Sequence, residues 1–171
     1  MSENPMRVIR LEKVVVNTGV GEAGEKLQKA EKVLEMVTGQ KAITTVSRST
    51  IRDWGIRRNM RIGAKVTLRG ATADAFLRKA LDIRNRRLPV YVFDAHGNFS
   101  FGVADYTDFE GMKYDPEIGV VGMDVSVALG RPGNRVARRK VRRRPIPAPY
   151  RVTRNESIAF IRSKYNVEVV G

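Results

Sequence analysis

The sequence predicts a single α+β domain, and three observations carry that reading. Residues 61–69 alternate: Ile62, Ala64, Val66 and Leu68 point one way, and Arg61, Gly63, Lys65, Thr67 and Arg69 the other, the period of a half-buried strand. Residues 22–38 instead space Leu27, Ala30, Val33, Leu34 and Val37 by threes and fours, the stripe of an amphipathic helix. Segments of both kinds follow one another along 171 residues with no internal repeat and no linker between independent domains.

In chain order, residues 7–17 (RVIRLEKVVVN) are rich in β-branched side chains and end in turn chemistry at Thr18 and Gly19, so they form the first strand. The helix at 22–38 has Glu22 and Glu25 in its favourable first turn and Gly39 as its stop. Residues 41–48 read as a second strand. The string STIRDWGIRRNM, 49–60, has no clean period and is expected to be a long exposed loop before the strand at 61–69. Thr72 is placed to cap a second helix through about residue 84, with Phe76, Leu77, Ala80 and Leu81 as its buried stripe. Residues 88–93 and 98–106 then read as a hairpin around a turn that holds His96.

An acidic irregular loop, 107–119, leads to a strand in which Val121, Met123, Val125, Val127 and Leu129 alternate. Asp124, on the other face of that strand, is a candidate partner for a neighbouring arginine. Residues 131–149 lack acids and have too little apolar surface to order themselves, so they are expected to be extended or loop-like until a polyanion neutralises them. Thr153 and Glu156 make a capping box for a last helix that buries Ile158, Ile161 and Tyr165, and residues 167–170 are expected to add an edge strand.

Charge narrows the partner class. The formal net charge is +14, and it is unevenly placed: residues 41–69 carry +7 and residues 130–155 carry +10, while the remainder is slightly acidic. Charge kept for solubility would be spread, whereas a site for a polyanion concentrates it, because each phosphate met by Lys or Arg releases condensed counterions. Without cysteine there is neither a disulfide framework nor a thiolate metal site, which fits a reducing cytoplasm. His96 alone cannot anchor a metal. No apolar run approaches the roughly 20 residues of a membrane span, and the start MSENPMR lacks the hydrophobic stretch of a signal peptide, so the expectation is a soluble protein without a membrane partner.

Two motifs were weighed against simpler readings. Gly19, Gly21 and Gly24 satisfy G-x-G-x-x-G between a strand and a helix. Glu22 and Glu25, however, put negative charge where a pyrophosphate would sit, and no acid ends the next strand to hold a ribose. Glu25 also occupies the position a phosphate-binding loop would give its lysine, so a tight strand-to-helix turn is the better reading. For catalysis only carboxylates, lysines and hydroxyls remain, and the acids at 105–117 have the spacing of turns and arginine partners. No catalytic residue, cofactor or metal is expected. Trp54, among Arg52, Arg57 and Arg58, either stacks on a nucleobase or anchors its loop in the core, and both readings stay open.

Five strings, VVVNTGVGEAGEKLQKA, VTGQKAITTVSRSTIRDWGIRRNMRIGAKVTLRG, HGNFSFGVADYTDF, GMKYDPEIGVVGMDV and LGRPGNRVARRK, resemble in their order the large-subunit ribosomal protein L-five family. The basic run after LGRPG resembles the archaeal and eukaryotic branch, which the bacterial form lacks; Glu110, where the family usually has proline, touches only local loop shape. The resemblance covers nearly the whole chain. It implies an antiparallel sheet with helices packed on one side, a structural role in the large subunit, and a seat in the central protuberance on 5S ribosomal RNA. Further implied partners are the large-subunit rRNA, a neighbouring 5S-binding protein, a small-subunit head protein at the intersubunit bridge, and the peptidyl-site transfer RNA.

Carried over position by position, the resemblance assigns 5S contacts to Asn17, Gln40, Thr44 or Thr45, and Thr67, with Arg48, Lys65 and Arg69 as phosphate partners. Loop 49–60, with Arg52, Trp54, Arg57 and Arg58, would face the transfer RNA. Extension 131–149 would bring Arg135, Arg138, Arg139, Lys140, Arg142, Arg143 and Arg144 to ribosomal RNA. An alternative, a general nucleic-acid-binding or RNA-chaperone protein, explains the charge but not a strand polar on one side only.

Overall fold

A computed structural model describes residues 4–170, so residues 1–3 of the MSENPMR start and residue 171 lie outside the described part. In chain order the elements are β1 (Arg10–Gly19), α1 (Glu25–Thr38), β2 (Ile43–Val46), β3 (Arg61–Leu68), α2 (Gly70–Ile83), β4 (Arg87–Pro89), β5 (Phe99–Val103), β6 (Met123–Gly130), the single turn α3 (Arg135–Arg138), α4 (Arg154–Tyr165) and β7 (Glu168–Val170). Five strands form one sheet in the order β2-β3-β1-β6-β5, with every pairing antiparallel. The α+β architecture expected from the sequence is the one observed.

Period-two alternation decides which side of the sheet is apolar. Val14 and Val16 of β1, Ala64, Val66 and Leu68 of β3, and Val125 and Val127 of β6 are all buried on one side. Over them lie Leu27, Val33 and Leu34 of α1 and Phe76, Leu77 and Leu81 of α2, in one continuous core that also takes in Ile161 and Tyr165 of α4. At about 25 cal/mol for each Å² of apolar area removed from water, side chains of this size contribute about 1.5–3 kcal/mol each, the dominant favourable term.

The ends of the elements follow local chemistry, and several differ from the sequence expectation. α1 begins at Glu25, three residues later than expected, because the glycine turn occupies the preceding stretch: the N–H groups of Val20 and Gly21 both donate to the Ile62 carbonyl, and Gly24 takes φ 117°, a backbone state other residues rarely adopt. The tight-turn reading of those glycines therefore holds. Gly39 ends α1 in the left-handed region as expected. Thr72 does not cap α2. That helix starts at Gly70, and the Thr72 hydroxyl donates back to the Arg69 carbonyl at 2.8 Å. The second strand is shorter than 41–48, with a bulge between Thr45 and Val46.

The expected hairpin at 88–106 is the largest correction. Residues 87–89 pair in parallel with β7, Val90–Val92 is a 3-10 turn, and only the Phe93–Phe99 bridge survives of the antiparallel ladder. Pro89 lacks the N–H a ladder needs, and its rigid φ turns the chain away from β5. β7 thus joins β4 in a separate two-stranded sheet rather than the edge of the large one. Residues 131–149 are irregular rather than extended: a turn at 132–134 runs into α3, bends follow at 140–142, the Arg144 N–H donates back to the Val136 carbonyl, and a 3-10 turn begins at Ala148. Thr153 and Glu156 do form the capping box, while Ile158 is half-buried and Ser157 takes the fully buried place beside Ile161 and Tyr165.

Asp74 ties α2 to α4. Its carboxylate accepts from Lys164 at 2.6 Å, from the Tyr165 hydroxyl at 2.6 Å and from Arg78 at 3.2 Å. Burial works to raise its pKa, yet these three donors hold the Asp74 carboxyl at about 2, below its ordinary 3.8. Burial, together with that same hydrogen bond, pushes the Tyr165 phenol up. A depressed carboxyl stabilises the fold above its unfolded pKa, and that stabilisation drains as pH falls through the folded value. Asp74→Asn is expected to lower stability near neutrality by about 1–3 kcal/mol, with the gap from the parent closing between about pH 4 and pH 2. Urea midpoints across that range measure it; a gap independent of pH would count against the network.

Candidate nucleic-acid interface

On the side of the sheet away from α1 and α2, the register sets polar side chains in rows. One row runs Ile43, Lys65, Asn17, Asp124 and Gly102; the next runs Thr67, Val15, Ser126 and Ser100. Lys65 and Thr67 are exposed and Asn17 is half-buried. Arg69 continues the alternation in extended backbone, exposed, where it also precedes α2. The β3 face that the sequence marks as cationic is therefore open, not sealed under helices.

Register also separates Thr44 from Thr45. Thr44 is opposite Ala64, on the side facing the helices, whereas Thr45 is opposite Gly63 on the open side. A Cβ on Gly63 would come within 3.0 Å of the Thr45 hydroxyl and 2.8 Å of the Thr18 carbonyl, so glycine is what lets the Thr45 side chain lie close over β3. Gln40 sits exposed just beyond the Gly39 stop of α1, and Arg48 follows β2 beyond its bulge; neither belongs to the rows on the sheet face. Val15, Ser126 and Ser100 do, and Lys13 opposite Ala128 extends the same face by one further row; the sequence reading left all four out. The alternation of Lys13, Val15 and Asn17 against Val14 and Val16 was the signal available for Lys13 and Val15.

Loop 49–60 is more regular than its lack of period suggested. Ile51 and Ile56 exchange backbone hydrogen bonds of 2.8 and 3.0 Å, closing a small hairpin around the 3-10 turn Arg52–Trp54 and a left-handed Gly55. At its base Ser47 donates to Met60 and Asn59 to Ser47. Ile56 is buried and holds the loop to the body, while Trp54 is 73% exposed. Of the two readings of Trp54, the core anchor is thus excluded, since Ile56 does that work. Arg52, Arg57 and Arg58 of the same loop are all exposed as well.

Pairing of charges separates this surface from the rest. Among the described residues, no basic side chain in 41–69 forms an ion pair, and neither do Arg135, Arg139, Lys140, Arg142, Arg143 or Arg144. Arg138 pairs with Glu12, and Arg131 with Glu156. The remaining pairs, such as Lys26–Glu22 and Arg86–Asp82, lie outside both basic segments. Asp124 forms no ion pair among the described residues, contrary to expectation; it stands between Asn17 and Gly102, and Arg84 nearby donates to the Gly102 carbonyl instead. No described helix is long and apolar enough to cross a membrane, and no described cluster of His, Asp or Glu could hold a metal ion.

A sheet backed by helices on one side and bare, polar and cationic on the other presents a surface suited to a polyanion. The family model of ribosomal protein L5 matches residues 4–57, and that of the ribosomal L5P family C-terminus matches residues 61–160. The chain is 49% identical to the large ribosomal subunit protein uL5 of Thermoplasma volcanium, over 98% of this chain and 99% of that one. Identity to the uL5 of Sulfurisphaera tokodaii is 49% over 98% and 95%, and to that of Methanoculleus marisnigri 51% over 96% and 98%. The chain belongs to the ribosomal protein L5 family, and hence to the structural constituents of the large ribosomal subunit. The boundary between the two family models falls in loop 49–60, yet β1 from the first part pairs with β3 and β6 from the second.

Ile56→Ala is expected to cost about 2–4 kcal/mol by loss of a buried side chain. It should also release the loop: amide protection at Ile51 and Ile56 disappears while that of β1 and β3 persists. Hydrogen exchange read residue by residue checks this, and undiminished protection at Ile51 would show that the loop holds without its anchor.

Proposed function

We propose that this chain binds 5S ribosomal RNA through the open face of its sheet and anchors it in the central protuberance. In this reading loop 49–60 reaches toward the peptidyl-site transfer RNA, and extension 131–149 lies on the large ribosomal RNA. A second 5S-binding protein and a small-subunit head protein are its protein neighbours, and the cytoplasmic ribosome is its location. The observation that carries the reading is the set of unpaired cations and short polar side chains, Lys65, Thr67, Arg69 and Asn17, on a face no helix covers.

The two residue types have different work. Arginine and lysine fix register through phosphates, a contribution that weakens with salt, while threonine and asparagine reach sugar and base edges of a folded RNA whose shape is recognised. Side chains free of intramolecular carboxylates lose no ion pair on binding, so the counterion-release term is available in full. Exposed surface pairs elsewhere contribute little to the fold, typically about 0.2–1 kcal/mol each, so keeping these cations unpaired costs the protein little stability.

Arg69→Ala should reduce the slope of log affinity for 5S RNA against log salt by roughly 0.7 to 0.9, the value of one lost phosphate contact. Thr67→Val or Asn17→Ala should weaken binding with the slope nearly unchanged. Titrations at several salt concentrations decide it, and an unchanged slope for Arg69→Ala would remove that residue from the phosphate contacts. Equal affinity for 5S RNA and for random duplex would favour a general nucleic-acid binder instead. Deleting residues 135–144 should leave a folded protein, since none of them is buried in the core, but one that assembles poorly into subunits. Circular dichroism and subunit reconstitution test both halves; failure of the truncated chain to fold would make the extension part of the core.

A further inference from the structure

Where the basic extension leaves and rejoins the body, it closes a cavity of about 430 Å³ against the ends of β1 and β6. Lys13, Arg131, Arg138 and Arg151 line it, together with the ring of Tyr150 and the protein's one histidine, His96. These residues come from four separate stretches of sequence, which is why no local motif announced them. Gly130 is what permits the approach: a Cβ there would stand 2.8 Å from the Asn134 amide nitrogen and 3.1 Å from a Glu12 carboxylate oxygen.

The charges in this cavity are arranged rather than merely accumulated. Glu12 faces it but is bound by Arg138, and Arg131 is held by Glu156 at 2.6 Å. Lys13 and Arg151 have no carboxylate partner among the described residues. Arg131 is largely buried, 11% exposed, and its Nε is fully buried with no hydrogen-bond partner. Glu156 already balances the charge of that guanidinium through Nη2, so what is left over beside the cavity is one buried donor, not an unpaired charge. Beside these cations Tyr150 keeps about half of its surface open, at 53% exposure. A phosphate beside a planar apolar ring is the chemistry of one nucleotide, and the volume lies in the range of small-ligand sites.

We propose that this cavity is a single-nucleotide site: it takes one unstacked nucleotide of a bound RNA, with its phosphate at Lys13 and Arg151, the lining cations without a carboxylate partner among the described residues, and its base against Tyr150. The inference rests on the RNA-binding reading above and adds to it a defined pocket, at the root of the extension and apart from the open rows of Lys65 and Thr67. Single-stranded or bulged RNA would supply such a nucleotide; continuous duplex would not.

His96 makes the site directly observable, because its ring gives the only imidazole signals in the NMR spectrum of the full chain. Titrating uridine or adenosine 5′-monophosphate should shift those signals saturably, and inorganic phosphate should act at least about fivefold more weakly, since it lacks the base. Tyr150→Ala should weaken the nucleotide by about fivefold or more, the low end of one stacked base, while Tyr150→Phe retains it; Arg151→Ala should weaken nucleotide and phosphate alike. Static His96 signals at high nucleotide overturn the proposal, as does phosphate matching nucleotide with Tyr150→Ala indifferent, which would mark an anion site only. Binding of 5S RNA by the same sample separates the two readings. If 5S RNA binds while His96 stays silent to nucleotide, only the pocket fails; if His96 responds to nucleotide while 5S RNA does not bind, the wider function fails and the pocket stands.

Discussion

The pairing of β1 with β3 on one side and β6 on the other fixes almost everything else in this molecule. Because side chains alternate across a pleated sheet, a slip of one residue between β1 and β3 would send Lys65 and Thr67 into the core and bring Val66 out to water. Burial of Val14, Val16, Val66 and Leu68 forbids that slip. Gly63 reinforces the register, since its neighbours, the Thr18 carbonyl and the Thr45 hydroxyl, leave no room for a side chain. The polar face is thus specified by the apolar one: the residues available to a ligand are those the core has not claimed.

A second ordering is electrostatic. Acids near the basic extension are each held by an arginine, Glu12 by Arg138 and Glu156 by Arg131. The effect of these pairs is on the field: a carboxylate bound by a guanidinium no longer opposes an approaching phosphate, and the free cations around it keep their full attraction. The Asp74 cluster, by contrast, joins α2 to α4 far from the sheet's open face and belongs to the architecture.

Much of this was legible in the sequence because it depends on local periods. The strand at 61–69, the stripe of α1, the capping box of Thr153 and Glu156, and the two basic segments could all be read from spacing and composition. What the sequence hid was set by partners distant in the chain. Leu88 looks like part of a hairpin, yet with Pro89 in place its strand is completed by β7 some 80 residues later. The choice between Thr44 and Thr45 needs the register with β3, and the company of Lys13 and Ser126 on the open face needs that with β6. Trp54 could be assigned to neither role until Ile56 was seen to fill the anchoring position. The family resemblance named contact residues, but the cavity at Gly130 arises only once the extension folds back.

Asp124 stands in the same row as Asn17 and Lys65, toward the flank of the sheet formed by β5 and β6. The open face is therefore uneven, with unpaired cations along β3 and a carboxylate toward its other flank. A string of phosphates approaching such a face at random angles would be drawn first toward β3, before any hydroxyl or amide makes contact. One small carboxylate would thereby serve as a compass, giving the surface a heading as well as a charge.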